Sequence, residues 1–114
     1  MTLSPATPEW PVRDLDAALT ELVERLGYTI AWHRGEEGIA GCARGDCALF
    51  LRQGAGEVAP GTAWVFVEEI DAFAEELKAR GAEIAAPLLD KPWGLRQMTV
   101  RLTDGHLLHF HHDL

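Results

Sequence analysis

Four of the chain's five histidines crowd its last nine residues: His106, His109, His111 and His112. Side chains on a strand alternate between faces, so His109 and His111 share one face and His112 takes the other. Two imidazoles on one face, with His106 at the preceding turn, are groups that can catch a transition metal. Only Asp113 adds a nearby carboxylate, and the preferred role for His109 and His111 is ligand contact or pH sensing. Cys42 and Cys47 have no second pair to complete a zinc site. They are read as small hydrophobes in neighbouring strands, with a disulfide left open. A cysteine nucleophile needs a base and an oxyanion hole, and neither can be placed. No Gly-rich phosphate loop, G-x-S-x-G elbow or H-E-x-x-H run occurs.

The aromatic residues carry the stronger signal. In TAWVFV (62–67), Trp64 and Phe66 alternate with Ala63, Val65 and Val67. The small and β-branched residues are expected to meet a helix, which leaves the large rings with Thr62 on the opposite face. Trp93 stands in a Pro-Trp-Gly turn, Trp32 in an apolar strand, and Trp10 in the N-terminal strand as a packing or interface residue. Flat rings stack on planar heteroaromatic groups and attract cations, each contact worth about 1 kcal/mol. Carboxylates at Asp46, Glu36 and Glu37 would add steering.

The elements that must position these residues are written twice. VRDLDAALTELVER (12–25) returns as VEEIDAFAEELKAR (67–80), with Val12, Leu15, Asp16, Ala17, Leu22 and Arg25 each matched 55 positions on. Each copy opens with a strand (7–12 and 62–67) and an acidic helix cap, Asp14 or Asp16 in the first copy and Asp71 in the second. Leu15, Ala18, Leu19, Leu22, Val23 and Leu26 make one helical stripe, and Ile70, Phe73, Ala74 and Leu77 make the other. Gly27 and Gly81 end the helices. Strands are expected at 28–34, 37–43 and 46–52, then at 83–86, 95–102 and 106–112, with a Thr103-Asp104-Gly105 turn before the last. The result is an α+β fold of two βαβββ modules, about 5–53 and 62–114, with a linker at 54–61. Each helix covers one face of its sheet; the other faces form a curved mixed sheet and an open trough.

Composition sets the outer bounds. A chain of 114 residues is a single domain. Its net charge of −8 disfavours nucleic acid, whose phosphates need clustered Lys and Arg. The same charge favours a cationic ligand. With neither a secretory leader nor an apolar stretch near twenty residues, no membrane association and a cytoplasmic location are expected.

TPEWPVRDLDAAL at the start, GDCALFLRQGAGEVAPGTAWVFVEEID in the middle, KPWG at 91–94 and TVRLTDGHLLHFHHD at the end resemble the glyoxalase/bleomycin-resistance/dioxygenase (vicinal oxygen chelate) superfamily, most closely its bleomycin-resistance-protein-like branch. The likeness spans almost the whole chain. It implies a homodimer that exchanges its N-terminal strand, with Pro8 at the matching place and Trp10 beside it, and two troughs completed across the dimer. Trp93 then matches the aromatic loop that closes over a drug. Enzymes of the superfamily hold a divalent ion at slots that fall here on Thr7, Leu49, Thr62 and His109. Only His109 is a competent ligand, so no metal and no cofactor are expected. The function implied is metal-independent sequestration of a cationic, aromatic glycopeptide antibiotic of the bleomycin type, with Trp32, Trp64, Phe66, Trp93, His109 and His111 as the ligand-binding residues. The alternatives are an isomerase, lyase or thiol transferase of the same superfamily, and a regulatory or stress-associated domain with no tight ligand.

Overall fold

Helix α1 (Leu15–Leu26) begins where the Asp14 carboxylate accepts the Ala17 N–H and ends at Gly27, whose φ of 73° is the left-handed value a side chain would resist. The computed structural model describes residues 1–114, and α1 buries Leu15, Ala18, Leu19, Leu22 and Leu26. Each such leucine is worth on the order of 2 kcal/mol over an exposed one. It packs on β2 (Thr29–Arg34), β3 (Ile39–Arg44) and β4 (Cys47–Gln53), in a sheet that β1 (Glu9–Val12) completes. The second module repeats the plan with β5 (Thr62–Phe66), α2 (Ile70–Ala79), β6 (Glu83–Asp90), β7 (Leu95–Arg101) and β8 (Leu107–Asp113). Unlike α1, α2 has no side-chain cap: Asp71 lies one residue inside the helix and binds Arg96 instead.

Each module has its own four-stranded mixed sheet, ordered β1-β4-β3-β2 and β5-β8-β7-β6. The first strand of each module pairs in parallel with the last, and the other pairs are antiparallel. Within one chain the sheets remain separate rather than merging into one curved sheet. Twenty buried hydrophobic residues from both modules form one core on the helix-covered faces. The opposite faces turn outward.

Two joints lock the modules. At the first, the Trp10 ring stacks on His106 at 4.8 Å and 8°. His106 Nδ1 accepts the Gly61 N–H at 2.8 Å, so its Nε2 carries the proton donated to the Pro11 carbonyl at 2.7 Å. Both ring nitrogens are thus used in packing, and His106 is no metal ligand. At the second, Arg44 forms a bidentate pair with Glu76 (2.6 and 2.7 Å), which also accepts from Arg80, while Arg80 reaches the Glu24 carbonyl. These cations hold the Glu76 carboxyl down at about 2.

The register corrects one position. Leu49 lies opposite Cys42 and is buried under α1, so it cannot belong to the open face. Phe50, paired with Glu9 as His109 is paired with Trp64, takes that place. Counting four residues from each turn glycine fails because the two turns differ: Gly45 and Asp46 make a two-residue hairpin between paired Arg44 and Cys47, whereas Gly105 closes a 3₁₀ turn in a five-residue connection between paired Arg101 and Leu107. A one-residue slip inverts every side chain.

Candidate ligand-binding face

The open face of the second module gathers five of the six residues expected to bind ligand. On β5, Trp64 and Phe66 remain 54% and 59% exposed, while Ala63, Val65 and Val67 pack against the core. Beside them on β8, His109 stacks on Trp64 at 4.4 Å and 28°. His111 meets Trp64 and Phe66 edge-on, at 5.8 and 6.0 Å. Trp93 projects from the turn before β7 at 61% exposure, and its Nε1–H donates to Gln97 Oε1 at 3.0 Å. Lys91 already lies 5.8 Å from the centre of the Trp93 ring, whereas no arginine or lysine of the chain lies over Trp64 or Phe66.

Polar groups between the rings are sparse. Thr99 Oγ1 and His109 Nδ1 share a hydrogen bond of 2.7 Å, and burial holds His109 below its ordinary pKa, which favours the neutral ring. His111 Nδ1 is buried without any partner. His112, on the other face, is committed to the Glu68 carbonyl. Gln97 and Thr99 went unread in the sequence although LRQMTVRL signals them: they alternate with buried Met98 and Val100.

Trp32 lies elsewhere. It belongs to the outward face of the first module, edge-on to Phe50 at 5.2 Å, with its ring laid over Gly41, where a Cβ would collide with the indole. No aromatic contact joins it to the Trp64 group. Thr62 begins β5, whereas Thr7 precedes β1 and stands outside any strand. Pro8 leads into β1 and its carbonyl accepts the Phe50 N–H at 3.0 Å.

Nucleophilic and metal chemistry find little support here. Burial pushes the Cys42 thiol up to about 11, far from a reactive thiolate. Cys47 shares a 3.1 Å contact with the Tyr28 hydroxyl, itself pushed up by burial and by that contact. Both cysteines are free, and they sit diagonally across the β3–β4 hairpin rather than opposite each other. No three His, Cys, Asp or Glu side chains converge closely enough to hold an ion. A cleft of about 570 Å³ between the modules follows β5 and is bordered by Tyr28, Arg44, Asp46, Phe66, Phe73 and Glu76. No helix is long and apolar enough to cross a membrane.

Comparison with known proteins places this geometry. Residues 6–110 match the family described as the Glyoxalase/Bleomycin resistance protein/Dioxygenase superfamily. Among solved structures, TioX from Micromonospora sp. ML1 is 30% identical, with 97% of this chain and 99% of that one covered at a TM-score of 0.84. A bleomycin resistance determinant encoded on the transposon Tn5 is 24% identical over 97% and 98% of the two chains, TM-score 0.82. A bleomycin-binding protein complexed with bleomycin is 23% identical over 98% and 100%, TM-score 0.80. At those identities the last two attest the fold alone. No curated protein sequence matches.

Proposed function

This chain belongs to the glyoxalase/bleomycin resistance protein/dioxygenase superfamily, and on that premise we propose that it is a metal-independent binding protein that sequesters a cationic, aromatic glycopeptide of the bleomycin type. One observation carries the proposal: Trp64, Phe66 and Trp93 stay more than half exposed on one sheet face, where a folded chain ordinarily hides such rings. Stacking and cation attraction need no coordinating side chains, and the face offers few. The net charge of −8 gives a cation a favourable approach.

The binding unit is a homodimer. In one chain Trp32 and Phe50 turn outward on one sheet and the Trp64 group on the other, so a trough lined by both needs two copies. The outer edges of β1 and β5 carry no neighbouring strand and are the edges a second copy would use. An exchanged N-terminal strand would keep the Pro8 and Trp10 contacts and draw them from the other chain.

Titration with metal-free bleomycin in excess chelator tests the function. Tryptophan fluorescence should change saturably and calorimetry should give a matching Kd. No response to bleomycin or to other cationic glycopeptides would overturn it.

A further inference from the structure

Of the polar atoms on the aromatic face, most are spoken for. Gln97 Oε1 receives the Trp93 indole N–H, and His109 Nδ1 is engaged with Thr99. His111 Nδ1 alone is buried without a partner. A buried polar atom left unpaired is costly, and such atoms ask for an explanation. The other nitrogen of the same ring makes no bond within the protein and is not buried, so water can accept its proton. In the tautomer with its proton on that outer nitrogen, Nδ1 keeps its lone pair and is an acceptor. The rings set edge-on to this imidazole belong to Trp64 and Phe66, both more than half exposed, so a flat group that settles against them comes to lie beside the His111 ring. Asp113 stands two residues further along β8, on the same side of the strand and exposed.

We propose that His111 is a specificity-determining residue of this face: its Nδ1 accepts a hydrogen bond from the ligand, which therefore carries a protonated primary or secondary amine beside its flat ring. The inference rests on the face being a ligand site and goes beyond it, since stacking and charge alone would take any aromatic cation. A quaternary ammonium has the same charge but no N–H, and would leave Nδ1 unpaired while excluding water from it.

Two probes separate these cases: 2-naphthylmethylammonium and its N,N,N-trimethyl analogue, titrated by calorimetry against the intact protein. The primary ammonium should bind about tenfold more tightly, the worth of one hydrogen bond to a charged donor. His111→Phe, which removes the acceptor, should abolish the difference in affinity between the two probes. His111→Gln, which returns an acceptor oxygen, should recover part of the difference. Equal affinity of both probes for the unaltered protein overturns the role of His111 and leaves the face standing. Failure of both probes to bind overturns the face itself. The comparison on unaltered protein decides the matter even where a variant misfolds.

Discussion

A tryptophan held by a single hydrogen bond at the edge of a sheet, as Trp93 is by Gln97, contributes little to the core and much to whatever lands on it. Trp93→Ala should weaken ligand binding more than about tenfold while leaving the oligomeric state intact, because a lost stacking surface is paid at the ligand and not at the fold. Calorimetry alongside light scattering checks both halves, and unchanged affinity would remove Trp93 from the site. His109 makes the opposite kind of prediction, one of stability. Burial lowers its pKa in the folded chain below the ordinary 6.5, so on acidification the unfolded chain takes up the proton first. Stability from this group is complete above that value and is lost as pH falls through it. Urea unfolding at about pH 7.5 and about pH 5.5 should show a decline, and His109→Gln should make it shallower. A slope unchanged in the variant would count against the buried neutral ring.

At the level of elements, the joint between α2 and the β3–β4 hairpin is the feature most exposed to test. Glu76 binds Arg44 from the other module and Arg80 from its own helix, with side chains about one-third exposed (33–38%) and therefore partly screened. Glu76→Gln should cost about 1 kcal/mol in urea unfolding, in the range of a solvent-screened but bidentate network. Because those cations depress its pKa to about 2, Glu76 stabilises the fold fully above its ordinary 4.5 and loses that effect as pH falls toward 2. The variant should lose this stretch of acid sensitivity, and retaining it would assign the effect to other carboxylates. The joint was invisible in the sequence, because nothing local to Arg44 announces a partner 32 positions away. Periodicity did disclose both helices, the eight strands and the outward turn of Trp64 and Phe66, since each depends on neighbours in the chain. It misplaced Leu49, where the face depends on turn geometry rather than alternation. It also left His106 a possible ligand, because its donor and acceptor partners, the Gly61 N–H and the Pro11 carbonyl, come from the linker and the other module. Within one chain Trp32 and Trp64 lie on separate sheets, so whether they share a cavity depends on how two chains pair, which no strand pattern encodes.

For the whole molecule, that separation of Trp32 from Trp64 and Trp93 is the decisive geometry. One chain presents two outward faces, and on the proposed dimer symmetric pairing of two chains would set the first-module face of each against the second-module face of the other. Light scattering should then give twice the 12.5 kDa chain mass at micromolar concentration, and a monomer there would leave no shared trough. Mixing variants gives a sharper test of where the site lies. In a symmetric dimer each trough would take Trp32 from one chain and Trp93 from the other, so Trp32→Ala and Trp93→Ala homodimers each carry two damaged sites. A heterodimer of the two variants concentrates both lesions in one trough and leaves the other wholly native. After unfolding and co-refolding in equal amounts, random pairing makes half the dimers mixed, so about a quarter of all sites should bind ligand with unaltered affinity. If instead a single chain supplied both tryptophans to its own site, every trough in the mixture would carry a lesion and no native-affinity binding would return. Recovery of that fraction in a calorimetric titration, set against its absence in each variant alone, distinguishes a site built between chains from one built within a chain.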